Sequence, residues 1–141
     1  MNPLKTTRAE LLERFTAQAI EAEASESSHG IRLLKSTPIS SLPGFAEGCF
    51  SVQDQTPQQV CALLNAQPGE EIWDMCAAPG TKSTALAEQM QNQGRVLATD
   101  TNLNRLKRVR ENATRLDISI IKTATLPEAL PMRSRANSMR C

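Results

Sequence analysis

From Ile72 the chain passes through a short apolar run, Ile72-Trp-Asp-Met75, and then the small residues Cys76-Ala-Ala-Pro-Gly80. A helix-forming segment follows from Lys82 to about Gln91 and is stopped near Gly94. A strand that turns sharply into a helix leaves backbone N–H groups exposed at its carboxyl end, where open α/β sheets bind their ligands. The flanks repeat the alternation. Thr56-Pro57-x-Gln59 offers an N-cap, a proline at the first helical position and a glutamine after the cap. Val60, Leu63 and Leu64 then form one apolar face, and Gln67-Pro-Gly69 ends the helix. Arg95-Val-Leu-Ala-Thr-Asp100 reads as the next strand. Leu103, Leu106, Val109, Ala113 and Leu116 recur at helical spacing and predict an amphipathic helix. Ile118-Ser-Ile-Ile121 predicts a third strand. The order α-β-α-β-α-β is α/β, the first half of a Rossmann-like, doubly wound parallel sheet over residues 51–121.

Residues 1–50 read differently. Thr7-x-x-Glu10 is a capping-box pattern, and Leu11, Leu12 and Phe15 follow at helical spacing, which predicts a helix over 7–20. Residues 21–30 are polar and predict a loop, Ile31-Arg-Leu-Leu a short strand, and Leu42-Pro-Gly-Phe45 a turn. This is a small α+β accessory segment, expected to be too small for a core of its own and to be the remnant of an RNA-binding type of subdomain. Residues 122–141 form a tail, of which Met132–Cys141 have no apolar period.

Composition narrows the class. A formal charge of +1 and 40% hydrophobic residues describe an ordinary soluble domain. No apolar run reaches the roughly 18 residues of a membrane span, and no signal-peptide pattern opens the chain. Cys49, Cys61, Cys76 and Cys141 form no C-x-x-C pair, and His29 is the only histidine, so no metal site is expected. A cytoplasmic protein with reduced thiols is the simplest reading. Arg105, Lys107, Arg108, Arg110 and Arg115 against a single Glu111 make one basic helical stretch, suited to phosphate but more often a solvated face.

The ligand expected at the loop has an anionic tail and an adenosine. Cys76, Ala77, Ala78 and Pro79 precede Gly80 at the sharp turn, and the helix behind them presents free N–H groups and partial positive charge. Asp100 ends the next strand at the separation where an acidic side chain accepts hydrogen bonds from ribose hydroxyls. A nicotinamide site would want G-x-G-x-x-G, which is absent. A Walker P-loop fails because Thr81 separates Gly80 from Lys82 and Met75 stands where the first glycine belongs. A tight strand–helix turn without ligand is the bland alternative.

Asp74-x-Cys-Ala-Ala-Pro-Gly80-x-Lys82, Phe45-Ala-Glu-Gly48, Phe50-Ser-Val-Gln-Asp54, Pro68-Gly-Glu70 and Asp100 through Arg105-Leu106 resemble, in order and spacing, the Sun/Fmu family. These are S-adenosylmethionine-dependent RNA cytosine-C5 methyltransferases, and the resemblance implies ribosomal RNA as the substrate. Asn2-Pro-Leu-Lys also resembles a segment preceding the accessory helix, so the likeness covers about residues 2–121. The resemblance implies that Cys76, Ala77, Ala78, Pro79, Gly80, Thr81 and Lys82 cradle the methionine part of S-adenosylmethionine. Asp100 takes the ribose hydroxyls, and Arg105 supports the site from the next helix. Thr81 departs from the family's glycine, and a β-branched residue resists positive φ, though threonine can also cap a helix. The acidic residue that follows the third strand in the family is missing, since the chain reads Lys122-Thr-Ala-Thr125 there.

The family's chemistry implies a cysteine thiolate that attacks C6 of the cytosine and a second cysteine that helps release product, in Pro-Cys and Thr-Cys motifs. Neither dipeptide occurs here, so no catalytic residue is assigned. Cys76 belongs to the cofactor loop and is expected to be a small packing residue, while Cys49 and Cys61 are expected core thiols. Ala136–Cys141 can be back-translated so that a shifted frame reads Gln-Phe-Asp-Ala-Val, similar to the family's lead into the nucleophile strand. A frame slip near Pro131 and an inactive, truncated fragment are therefore expected. The alternative is a non-catalytic RNA- or partner-binding fragment using the basic face. An unfinished edge on the third strand and an unfinished face predict marginal stability or self-association.

Overall fold

The computed structural model describes residues 1–53 and 55–126 in two units, Met1–Val52 and Gln53 onward. Of the tail expected over 122–141, residues 127–141, with the frame slip expected near Pro131 and with Cys141, lie outside the described residues.

In the first unit, helix α1 (Arg8–Ala17) starts at the predicted capping box. The Thr7 hydroxyl accepts the Glu10 N–H at 3.3 Å, and the Glu10 carboxylate accepts the Thr7 N–H at 2.9 Å. The Thr7 N–H, together with the Thr6 hydroxyl that also donates to this carboxylate, holds the Glu10 carboxyl below its ordinary pKa. Part of the predicted polar loop is a strand instead, β1 (Ala22–Ala24), paired antiparallel with β2 (Ile31–Leu33). Pairing across a short turn overrides weak local propensity, since β preference is largely set by context. A single 3-10 turn (Ile39–Ser41) leads into the Leu42–Phe45 turn, closed by the Phe45 N–H on the Leu42 carbonyl at 3.1 Å. Contrary to expectation, the unit has its own apolar cluster of Leu11, Phe15, Leu42, Cys49 and Phe50. Buried Asn2 seals its end by donating from Nδ2 to the Gly48 carbonyl at 3.1 Å and from its amide to the Cys49 carbonyl at 2.7 Å.

In the second unit, α2 (Gln55–Leu64) begins one residue before the threonine expected to cap it. It is followed by β3 (Glu71–Asp74), α3 (Thr81–Gln89), β4 (Arg95–Asp100), α4 (Leu103–Arg115) and β5 (Ile121–Thr125). The three strands form a parallel sheet in the order β3-β4-β5, with Ile72 opposite Val96 and Val96 opposite Ile121. This is the expected Rossmann-like α/β arrangement. Ile72, Leu86, Ala87, Met90, Val96, Ala113, Leu116 and Ile118 form the main core between sheet and helices.

Three expectations need correction. The third strand lies later than Ile118–Ile121. Ile118 closes the helix end by donating its N–H to the Ala113 carbonyl at 2.9 Å, and the Asn92 side-chain oxygen accepts the Ser119 N–H at 3.0 Å. Lys122–Thr125 therefore belong to β5 itself, with Thr125 opposite Asp100, and the position after the strand moves beyond Thr125. Next, both β3 and β5 have an unpaired edge among the described residues, not the third strand alone. Finally, Trp73 and Leu97, which alternate with the core-facing Ile72 and Val96, are also buried, so an unfinished face is not seen at these positions.

Candidate cofactor site

The loop from Cys76 to Gly80 joins the carboxyl end of β3 to α3, and its shape is set by β4. Thr99, fully buried on β4, accepts the Ala77 N–H on its carbonyl at 2.9 Å. Its hydroxyl accepts the Trp73 indole N–H at 3.0 Å and lies 3.3 Å from the carbonyls of Asp74 and Met75. One threonine thus ties the end of β3, the start of the loop and β4 together. The sequence reading missed it, although a polar residue inside an apolar strand beside Asp100 was the available signal. Asp74 is held on the other side, where Ser83, itself fully buried, donates to its Oδ2 at 2.7 Å.

Gly80 is the pivot. Its φ is +104°, a left-handed conformation, and it is the N-cap of α3 without any side-chain capping bond. The Gly80 N–H returns to the Ala77 carbonyl at 2.6 Å, and the Ala78–Pro79 peptide is cis. The leading N–H groups of α3 have no carbonyl inside the helix to receive them. With no acidic residue in the first turn, and Lys82 in it, the helix end is positive in the sense an anion requires.

Thr81 resolves differently from either expectation. It is the first residue of α3 and is not in a positive-φ conformation, so the threonine causes no such strain. Nor does it cap the helix; its carbonyl accepts the Thr84 hydroxyl at 3.1 Å. Cys76 is corrected too. It is exposed, and the packing role belongs to Ala77, buried against Ala98, Leu106 and Val109. Cys49 and Cys61 are buried, as expected of core thiols, and burial raises the Cys61 pKa.

Asp100 ends β4 and is 5% exposed. One carboxylate oxygen accepts the Asn102 N–H at 3.0 Å, and the other stands 3.6 Å from Arg105 Nη1. Arg105 is thereby fixed as the partner of Asp100 from the first turn of α4. Asn102 caps that helix, its side chain accepting from the amides of Asn104 and Arg105.

The predicted residues fall into two groups. Ala77, Ala78 and Gly80 pack on the α4 side, whereas Cys76 and Lys82 line a groove of about 540 Å³ with Asp74, Met75, Val60 and Leu63. Asp100 does not line this groove. The donor set suits an adenosyl ligand: a carboxylate for hydroxyls at β4, and uncapped amides with a lysine at α3. Among the described residues no group of histidine, cysteine and acidic side chains could hold a metal, and no helix is long and apolar enough to cross a membrane.

Residues 61–129 match the family model described as 16S rRNA methyltransferase RsmB/F. This α/β region belongs to the RsmB/F methyltransferase family. A probable ribosomal RNA small subunit methyltransferase B of Synechocystis is 42% identical over 124 residues, covering 86% of this chain and 28% of that protein. The Bacillus subtilis relative of the same description is 37% identical over 127 residues, with 89% and 28% covered. The crystal structure of a methyltransferase homolog from Pyrococcus horikoshii superimposes with a TM-score of 0.82 at 28% identity, covering 95% of this chain and 44% of that one. The chain thus spans under a third of the curated RsmB relatives it matches. S-adenosylmethionine, the cofactor expected from the loop, agrees with membership of a methyltransferase family.

Proposed function

We propose that this chain provides the cofactor-binding half of an S-adenosylmethionine-dependent methyltransferase acting on cytosine C5 of ribosomal RNA. The observation that carries the reading is the pairing of an uncapped, positively biased α3 end with the Asp100 carboxylate at the adjacent strand end. S-adenosylmethionine, when bound, supplies an electrophilic sulfonium methyl. Cys76–Lys82 would face its methionine part, and Asp100, held by Arg105 and the Asn102 amide, its ribose. The ribosomal RNA substrate is supported by the names of the RsmB relatives, and C5 of cytosine by the loop's resemblance to the Sun/Fmu pattern. None of the cysteines stands in a Pro-Cys or Thr-Cys pair, so the part of the reaction assigned to these residues is cofactor binding without transfer. Calorimetric titration with S-adenosylhomocysteine, beside a transfer assay from labelled donor to ribosomal RNA, tests this. Binding without transfer is expected; no binding at millimolar ligand would sink the reading.

A second reading concerns assembly. We infer that a second copy pairs along the edge of β3 that is unpaired among the described residues, where Val60, Leu63 and Met75 are 54%, 85% and 47% exposed. Unpaired edges flanked by apolar surface associate readily. Sedimentation over a concentration series should show self-association that Leu63→Glu weakens. A monomer at all concentrations removes the idea.

A further inference from the structure

The loop is also gripped from behind, by a part of α4 far from Asp100 in sequence. Asn112 Nδ2 donates to the Pro79 carbonyl at 3.1 Å, across 33 residues of chain. At the same place a Cβ on Gly80 would stand 3.0 Å from the Val109 Cα, so the loop rests on the backbone of α4 itself. Arg105 and Asn112 are two turns apart, which puts them on one stripe of the helix, roughly 10 Å from each other along its axis. Leu106 and Val109 lie between them and pack against Ala77 and Ala98. One rigid element therefore touches both halves of the candidate site: the Asp100 carboxylate through Arg105, and the Cys76–Gly80 loop through Asn112.

We propose that Asn112 is a positioning residue that fixes the Pro79–Gly80 turn, and with it the α3 amides, at the distance from Asp100 that an adenosyl ligand spans. This rests on the cofactor reading above. The amide is suited to the task because it offers a donor without charge. A carboxylate at the same point would repel the Pro79 carbonyl, and an alanine would leave that carbonyl to water. The two substitutions should therefore differ in degree, aspartate being worse.

The test is calorimetric titration of the full chain with S-adenosylhomocysteine, comparing wild type with Asn112→Ala, Asn112→Asp and Asn112→Gln. Amide hydrogen exchange of residues 77–82 is measured without ligand, and Leu116→Ala serves as a core-destabilised control. Weakening by roughly tenfold is expected for Asn112→Asp, less for Asn112→Ala, with partial recovery in Asn112→Gln. Faster exchange confined to the loop should accompany it. The Leu116→Ala control should lower the melting temperature yet bind normally where it is folded. If wild type binds and Asn112→Asp binds equally well, the positioning role is overturned and the cofactor reading stands. If the control loses affinity in proportion to its lost stability just as the Asn112 variants do, the role is again overturned. Failure of wild type to bind overturns the cofactor reading, and the positioning role with it.

Discussion

Gly80 lies against Val109 so closely that a Cβ on the glycine would meet the valine Cα at 3.0 Å and its Cγ1 at 3.1 Å. Backbone cannot swing aside as a side chain can, and the glycine φ of +104° disfavours any L side chain independently of space. Gly80→Ala is therefore expected to cost about 2–3 kcal/mol of stability, from strain and displacement of the loop together. Denaturant melts would read the loss, and titration with S-adenosylhomocysteine should show affinity falling further than stability alone accounts for.

Asp100 divides its two oxygens between a backbone amide and Arg105. Asp100→Asn retains an acceptor for the Asn102 N–H but gives up charge, so the fold should survive while cofactor binding weakens roughly 10–100-fold. Arg105→Ala, acting through the same carboxylate from an exposed position, is expected to have the smaller effect. Equal affinities for wild type and Asp100→Asn would remove Asp100 from the site.

Thr81→Gly restores the glycine of the family pattern, and it should bring no benefit. The residue occupies the first turn of α3 at ordinary helical φ, where glycine only adds freedom to the unfolded chain. A loss of roughly 0.5 kcal/mol, with affinity unchanged within about twofold, is the expected outcome. A gain in affinity would show that the position needs a conformation that threonine resists.

Glu88 gives the chain a pH signature. Burial pushes its pKa up from the ordinary value to about 7, opposed by the Arg115 guanidinium. Its Oε1 has no hydrogen-bond partner among the described residues. A folded-state pKa above the unfolded one means that the native state holds its proton more tightly. The contribution is then fully present below the unfolded pKa of about 4.5 and is lost as pH rises through about 7. Glu88→Gln should stabilise the protein at pH 8 by up to about 3 kcal/mol and flatten that limb of the profile. Thermal melts of both proteins from pH 5 to pH 8 give the comparison.

The second unit was legible wherever the local pattern and the tertiary demand agreed. Leu106, Val109, Ala113 and Leu116 keep one period, so α4 could be placed from spacing alone, and Cys76–Gly80 announced a strand–helix turn by composition. The third strand was misplaced because Ile118 is apolar for another reason: it plugs the core at the end of α4, ahead of the strand. Thr99, Ser83 and Asn112 were missed because their roles lie in contacts between elements, and no spacing within an element encodes them. Thr81 misled in the opposite way. Its departure from a family pattern suggested strain, yet the turn's unusual φ belongs to the residue before it.

The single tryptophan of the chain is Trp73, 4% exposed, and there is no tyrosine. Its indole N–H is spent on the Thr99 hydroxyl, which in turn meets the carbonyls of Asp74 and Met75 that lead into the candidate cofactor loop. Near-ultraviolet emission from this protein is therefore a one-residue signal, issued three positions before Cys76. A change in the loop's hydrogen bonding is transmitted to the indole through Thr99, so the native chain carries its own optical reporter of that loop and needs no attached dye.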